Sequence, residues 1–255
     1  MFSWCDPENR PLIVAHRGSS AHAPENTLAA FRRAIEDGAD AIELDVRLSK
    51  DREVVVFHDS RLERRSSGSG HLRDATLNDL KKLRVGRSVD KRFVHERIPT
   101  LSEVFDLCIG KVGLNIEIKA DRQSRHELEI IDRCCSLMKR YHLKQSVLIS
   151  SFHHDFIKYL KQQNREIPGG LLFHPLKRIG RSAVRLAERS GVEYVIFSGT
   201  SLRKYAVRRA HGKGLFVAEF TVNTARRFHR AVRYGVDAII TDDPARMRNL
   251  LSSMK

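Results

Sequence analysis

Three acidic residues stand inside two apolar runs of the sequence, where an unpaired charge would be costly to bury. Glu43 and Asp45 alternate with apolar residues in AIELDV, and Glu117 lies between two isoleucines in GLNIEIK. In a β-strand, residues two apart point to the same side, so Glu43 and Asp45 would share one face. Three carboxylates from neighbouring strands form an oxygen-ligand set that suits one Mg²⁺ or Ca²⁺ ion. The alternative is a set of salt bridges with nearby basic residues, which are Arg17, Arg47 and Lys119.

Two histidines end apolar runs close to these acidic residues. His16 closes the run LIVAH, and His58 closes the run EVVVFH. Because imidazole titrates near neutral pH, one ring can accept a proton from a nucleophile while the other donates one to a leaving group. Metal ligation, which would suit zinc, is the other role open to such a pair. We expect acid–base catalysis by these two histidines. The sequence does not decide which is the acid, and our working assignment takes His16 as base and His58 as acid.

Arg17 and Lys119 place fixed positive charge beside the same residues. Such groups neutralise a phosphoryl group and stabilise the negative charge that develops on its oxygen atoms. Together with a divalent metal and an acid–base pair, they make the site resemble a centre that cleaves phosphoesters.

The elements that must position these residues are predicted by the alternation of short apolar runs with longer amphipathic stretches. Eight runs are predicted to be strands, at residues 12–16, 41–46, 113–119, 147–152, 169–173, 193–197, 215–220 and 237–241. A ninth run, at 53–58, is predicted to extend the second strand or to form a hairpin with it. Eight strand–helix units in 255 residues predict an α/β fold, the (β/α)8 TIM barrel, whose catalytic residues lie at the carboxyl ends of the strands.

One segment interrupts this alternation. Residues 59–99 are polar, basic and rich in glycine and serine, and they are too long for an ordinary loop between a strand and a helix. We predict a small insertion after the second strand, on the catalytic rim of a single domain that spans residues 1–255. An open doubly wound sheet is the alternative fold, but the sequence contains neither GxGxxG nor GxxxxGK[ST].

The composition argues against several classes of protein. No apolar run reaches the roughly 18–20 residues that cross a bilayer, and the first residues do not resemble a signal peptide, which predicts a cytoplasmic location. Four cysteines without a CxxC pair indicate a reducing compartment. The net charge of +15 attracts phosphates and permits a weak attraction to anionic membranes. Aromatic residues make up only 7% and no RNA-recognition motif occurs, so no specific nucleic-acid partner is expected.

The stretch AHRGSSAHAPENTLAAFRRAIEDGADAIELDVRLSKDREVVVFHD resembles the signature of the glycerophosphodiester phosphodiesterases. The family's HRG, PENT, ExD and HD motifs correspond here to residues 16–18, 24–27, 43–45 and 58–59. The resemblance continues in order through LNIEIK and FTVNT to IITDDP, and so covers nearly the whole chain.

This resemblance implies a (β/α)8 barrel with an insertion after the second strand. It also implies cleavage of small glycerophosphodiesters to glycerol 3-phosphate and an alcohol. The residues it assigns are Glu43, Asp45 and Glu117 to one divalent metal, His16 and His58 to acid–base catalysis, and Arg17 and Lys119 to the phosphate.

Three residues depart from the family's usual pattern, and none belongs to the expected catalytic set. Arg52 replaces a common glycine in the turn before EVVVFH. Phe220 stands where tryptophan is common, which keeps an aromatic wall on the pocket without an N–H donor, and Arg65 adds charge at the rim. Glu25, within PENT, is expected to reach back and orient Arg17. Two other functions stay open, namely phospholipase D-like cleavage of lysophospholipids and a non-catalytic barrel that binds anions or nucleic acid.

Overall fold

Nine strands form one sheet in the computed structural model, which describes residues 2–6, 8, 10–85, 91–120, 127–173 and 180–254. Eight of them are parallel and neighbour each other in chain order, and the first pairs with both the second and the last, which closes a barrel. The barrel strands are β1 (Leu12–His16), β2 (Ala41–Leu48), β4 (Gly113–Ile118), β5 (Val147–Ser151), β6 (Gly169–Phe173), β7 (Tyr194–Ser198), β8 (Phe216–Phe220) and β9 (Ala238–Thr241). The short β3 (Val54–Val56) forms an antiparallel hairpin with β2. The predicted TIM barrel is confirmed.

Helices cover the outside of this barrel. The described part of the chain contains α1 (Leu28–Glu36), α2 (Leu77–Lys82), α3 (Leu101–Cys108), α4 (Glu129–Arg140), α5 (His154–Gln163), α6 (Gly180–Ser190), α7 (Lys204–His211), α8 (Ala225–Tyr234) and α9 (Pro244–Ser252). Amphipathic stretches of the sequence predict six of them, but not α2, α3 or α9. The stretch that predicts α4 starts at residue 124, and its residues 124–126 lie outside the described residues. No helix in the described ranges combines the length and the apolar character that crossing a membrane requires.

The strands bury side chains on both of their faces. Residues such as Ile13 and Ile42 point outward and pack against the helices, whereas Val14 and Ile196 point into the barrel. Because successive side chains alternate between the two faces, His16 at the end of β1 points inward like Val14. This alternation directs the predicted site residues into the carboxyl end of the barrel.

The N-terminal segment closes the opposite end of the barrel. Trp4 is 1% exposed, and its indole N–H donates a hydrogen bond of 2.9 Å to the carbonyl oxygen of Leu114 at the start of β4. Its ring meets Tyr194 edge-on, with 5.5 Å between the ring centroids. Arg10 stacks over Phe216 with 4.2 Å from its guanidinium carbon to the ring centroid. These residues form a floor beneath the strands.

The segment between β3 and α3 has a small hydrophobic core of its own. The buried residues that form it are Val55, Phe57, Leu62, Leu72, Leu80, Val85 and Ile98. The segment contains α2 and two short 3₁₀ turns, at Leu72–Asp74 and Lys91–Phe93. Residues 86–90 of the predicted insertion lie outside the described residues. The assignment of 59–99 to the catalytic rim of a single domain stays a prediction.

Candidate active site

The acidic cluster is built by two adjacent strands in register. On β2 and β4, Glu43 lies opposite Asn115 and Asp45 lies opposite Glu117. The carboxylates of Glu43, Asp45 and Glu117 are buried, and each offers one oxygen atom within 4.8 Å of the other two. The alternation of apolar and acidic residues along both strands therefore brings three carboxyl groups to one point inside the barrel.

The charge of these carboxyl groups is only partly compensated by cations. Arg17 Nε lies 3.1 Å from one oxygen of Asp45 and Lys119 Nζ lies 3.2 Å from the other, and Lys119 also contacts Glu117. Although burial raises the pKa of Asp45, these two cations bring it below its usual range. Burial and the charge of Asp45 raise the pKa of Glu43 to about 8, and burial also raises that of Glu117. Salt bridges thus account for Asp45 but leave Glu43 in an unfavourable environment.

The two carboxylate oxygens of Glu43 differ in their hydrogen bonding. Its Oε2 accepts a hydrogen bond of 3.0 Å from the backbone N–H of Arg17, but its Oε1 is buried without a hydrogen-bond partner among the described residues. A buried carboxylate oxygen without a partner is costly, and a divalent cation that prefers oxygen ligands would satisfy it and reduce the repulsion. The cluster therefore fits a metal ion, and the residues that could hold it are Glu43, Asp45 and Glu117.

Asn26 orients Asp45 from the loop after β1. Its amide N–H donates to Asp45 Oδ2 over 2.8 Å, and its carbonyl oxygen accepts from the Asp45 backbone N–H over 3.2 Å. Asn26 has a φ of +58°, a left-handed conformation that asparagine adopts more readily than most residues. The neighbouring Thr27 caps α1, because its hydroxyl accepts the N–H of Ala30.

Each of the two histidines is held by a carboxylate at Nδ1. His16 Nδ1 lies 2.6 Å from Asp242 Oδ1, and His58 Nδ1 lies 2.7 Å from Asp59 Oδ1. Such a pairing fixes the ring orientation and leaves Nε2 as the nitrogen available for proton transfer. His16 Nε2 lies 4.0 Å from Glu43 Oε2, so this nitrogen faces the acidic cluster.

The pKa values of the two histidines are shifted in opposite directions. Burial lowers the pKa of His16, but the hydrogen bond with Asp242 and the charge of Glu43 outweigh it, so the pKa rises above its ordinary value. Burial, reinforced by nearby cations, lowers the pKa of His58. The surroundings of His16 therefore favour its protonated form, and those of His58 favour its neutral form.

Arg17 lies in a tight turn in which the backbone passes close to the start of α1. Its φ is +56°, and Gly18 follows with a φ of +83°. A Cβ atom on Gly18 would lie 2.7 Å from the carbonyl carbon of Ala30, so a larger residue would force α1 away. Within this turn Arg17 Nη1 donates a hydrogen bond of 3.0 Å to Glu25 Oε1.

Two phenylalanines lie close to Lys119 at the carboxyl end of the barrel. Phe220 at the end of β8 meets Phe152 edge-on, with 5.9 Å between the ring centroids. Lys119 Nζ lies 5.7 Å from the centroid of Phe152. Aromatic side chains thus lie beside the cationic and acidic groups at this end of the barrel.

Comparison with known proteins places these features in a family. Residues 16–246 match the model of the glycerophosphoryl diester phosphodiesterase family. The chain belongs to this family. A glycerophosphodiester phosphodiesterase of Caldanaerobacter subterraneus is 38% identical over 244 residues, which cover 95% of this chain and 98% of that relative. The chain is thus an enzyme of the phosphodiesterase class.

Solved structures of phosphodiesterases have the same barrel. An Oleispira antarctica phosphodiesterase in complex with the product sn-glycerol-3-phosphate is 29% identical, with a TM-score of 0.87 and coverage of 95% of this chain and 97% of that one. The glycerophosphodiester phosphodiesterase of Thermotoga maritima is 31% identical, with a TM-score of 0.77 and coverage of 95% and 99%.

The structure brings together the nine residues that the sequence singles out, which are His16, Arg17, Glu25, Glu43, Asp45, His58, Glu117, Lys119 and Phe220. It adds partners that sequence reasoning did not assign to this phosphodiesterase site, chiefly Asn26, Asp59, Asp242 and Phe152. Asp59 is part of the HD motif and Asp242 is part of IITDDP, so the motifs themselves were the available signal. Asn26 lies in PENT, where its type suggests a helix cap and conceals its contact with β2.

Proposed function

We propose that this phosphodiesterase hydrolyses glycerophosphodiesters to glycerol 3-phosphate and an alcohol, using one divalent metal ion and two histidines. The observation that carries the proposal is the acidic cluster with its partnerless Glu43 oxygen, surrounded by two cations and two carboxylate-held imidazoles. The Oleispira antarctica phosphodiesterase, in complex with sn-glycerol-3-phosphate, supports the choice of substrate class.

Each charged group has a role in this proposal. Glu43, Asp45 and Glu117 hold Mg²⁺ or Ca²⁺, which when bound would draw charge from the phosphoryl oxygens and lower the pKa of the attacking hydroxyl. Arg17 and Lys119 bind the phosphoryl oxygens from the sides of the cluster and stabilise the charge that builds up on them.

Proton transfer falls to the two histidines. One ring takes the proton of the nucleophile, which is water or a neighbouring glycerol hydroxyl of the substrate, and the other protonates the departing alkoxide. The acid must begin protonated and the base neutral. The hydrogen bond with Asp242, which raises the pKa of His16, and the burial that lowers the pKa of His58 therefore favour His16 as acid and His58 as base, the reverse of the working assignment.

The setting of this reaction is also part of the proposal. Deacylated phospholipids would be natural substrates, which connects the enzyme with lipid and glycerol metabolism. All four cysteines are free thiols, which supports a reducing compartment such as the cytoplasm.

An assay for released glycerol 3-phosphate tests the proposal directly. Glycerophosphocholine, glycerophosphoethanolamine and glycerophosphoglycerol are incubated with the enzyme after chelation, and then with Mg²⁺ or Ca²⁺ added back. We expect metal-restored activity in the wild type and its loss in Glu117→Gln. Glu219→Gln is the matched control, since Glu219 is also a buried strand carboxylate but is paired with Arg230 outside the barrel. Equal losses in both variants, or activity that survives chelation, would contradict the proposal.

A further inference from the structure

Two consecutive arginines in the segment between β3 and α3 contact carboxylates that hold residues of the site. Arg64 forms two hydrogen bonds of 2.6 Å with Asp59, from Nε to Oδ2 and from Nη2 to Oδ1. The same Asp59 Oδ1 accepts from His58 Nδ1 over 2.7 Å. Asp59 therefore bridges a planar guanidinium and the imidazole of a proposed catalytic histidine.

Arg65 makes a matching connection to another part of the site. Its Nη2 lies 3.0 Å from Glu25 Oε2, while Glu25 Oε1 accepts from Arg17 Nη1 over 3.0 Å. The two oxygens of Glu25 thus contact different guanidinium groups, those of Arg65 and Arg17. Because Arg17 Nε also lies 3.1 Å from Asp45, the phosphate-facing guanidinium is held from two sides.

We propose that Arg64 and Arg65 are positioning residues, Arg64 for His58 through Asp59 and Arg65 for Arg17 through Glu25. This inference deepens the proposed function and rests on it, because His58 and Arg17 meet the substrate only in that reaction. Through these two arginines, the segment then fixes the orientation of His58 and Arg17.

The geometry and exposure separate this role from simple stabilisation. A bidentate guanidinium fixes the plane of a carboxylate, which a single donor does not. The side chain of Arg64 is 56% exposed and that of Arg65 is 41% exposed. Exposed ion pairs contribute about 0–1 kcal/mol to stability. Loss of either arginine should therefore change the kinetics far more than the unfolding temperature.

The two arginines should affect different kinetic constants. Without Arg64, Asp59 can turn away and His58 loses a fixed orientation, so proton transfer slows and kcat falls. Without Arg65, Glu25 can swing towards Arg17 with both oxygens and draw that guanidinium from the phosphate, so KM rises.

The test compares Arg64→Gln, Arg65→Gln and the corresponding lysine variants in the full-length metal-loaded enzyme with glycerophosphocholine. Loss of a charge-assisted hydrogen bond predicts a kcat lower by about 10- to 100-fold for R64Q, and a KM higher by about 10-fold for R65Q. Lysine variants should recover part of each loss. Arg61→Gln is the matched control, because Arg61 lies in the same segment but pairs with Glu63, and we expect no change.

A second readout does not depend on activity. Long-range ¹H–¹⁵N NMR spectra of the histidine rings should show His58 fixed in the tautomer protonated at Nδ1, and a tautomer mixture in R64Q but not in R61Q. Kinetics and spectra of R64Q and R65Q that match those of R61Q would overturn the inference. Losses that scale with a fall in unfolding temperature would overturn it too. Wild-type inactivity on every glycerophosphodiester would instead refute the proposed function, while the NMR comparison would still decide the positioning of His58.

Discussion

Replacing Glu43 by glutamine should change the stability of the protein in opposite directions with and without metal. Burial and the charge of Asp45 raise the pKa of Glu43 from 4.5 to about 8, so the folded protein binds a proton that the unfolded chain releases. A carboxyl group with a raised folded pKa lowers stability as pH rises through this interval. The metal-free wild type should therefore lose stability between about pH 4.5 and pH 8.

The size of the effect follows from the width of that interval. At pH 7 the unfolded carboxyl is ionised while the folded one still holds its proton, so the penalty accumulates over about 2.5 pH units and amounts to about 3 kcal/mol. Glutamine removes this penalty, and its amide oxygen can still accept the Arg17 N–H. For a chain of this size, about 3 kcal/mol corresponds to an increase of roughly 6–12 °C in unfolding temperature.

Calorimetric melting in chelator and in Mg²⁺ or Ca²⁺ measures both halves of this prediction. In chelator at pH 7, Glu43→Gln should melt above the wild type, and the difference should disappear near pH 4.5. With metal at about 100 times its dissociation constant, the wild type should gain about 3 kcal/mol, whereas the variant should gain little. Glu219→Gln should retain the metal response. A variant that melts below the wild type in chelator would refute the reasoning, because Glu43 would then be well compensated without metal.

Substituting the histidines one at a time should identify the acid. His16→Ala should lower activity on an alkyl diester by about 10²- to 10⁴-fold, but much less on a nitrophenyl diester, whose leaving group needs no proton. His58→Ala should lower the activity on both substrates equally. The opposite pattern would restore the working assignment, with His16 as base and His58 as acid. Thr100→Ala, which removes the cap of α3, should lower the free energy of unfolding by about 1 kcal/mol in denaturant titrations, and Thr100→Ser should not. Burial raises the pKa of the Cys108 thiol to about 12, so iodoacetamide at pH 8 should label it only after unfolding, and rapid native labelling would contradict this burial.

The acidic cluster could be predicted from the sequence because its pattern is local. The alternation of carboxylates and apolar side chains in β2 and β4 shows which face each residue takes, and strand order in a barrel brings the two faces together. The pairing of His16 with Asp242 is different, since 226 residues separate them along the chain. They become neighbours only because β1 pairs with β9 when the barrel closes. The hydrophobic periodicity of the sequence does not predict that pairing.

The helices that the sequence analysis does not predict have recognisable ends. Thr100 and Glu103 form a capping box at α3, and Asp243 with Pro244 begins α9. Capping residues therefore carry information that hydrophobic spacing alone does not. The contacts of Arg64 and Arg65 could not be predicted from the sequence for another reason. The conformation of this polar segment depends on its small hydrophobic core and not on a periodic sequence pattern.

Trp4, whose ring lies in the floor of the barrel, is the single tryptophan of the chain. Its indole is anchored at Leu114, three positions before Glu117 on the same strand, a separation of roughly 10 Å along the chain. Intrinsic fluorescence therefore reports the end of the barrel away from the chemistry. Its emission should stay constant when substrate or metal binds and should change only when the barrel opens, which makes it an internal probe of unfolding in the presence of any ligand.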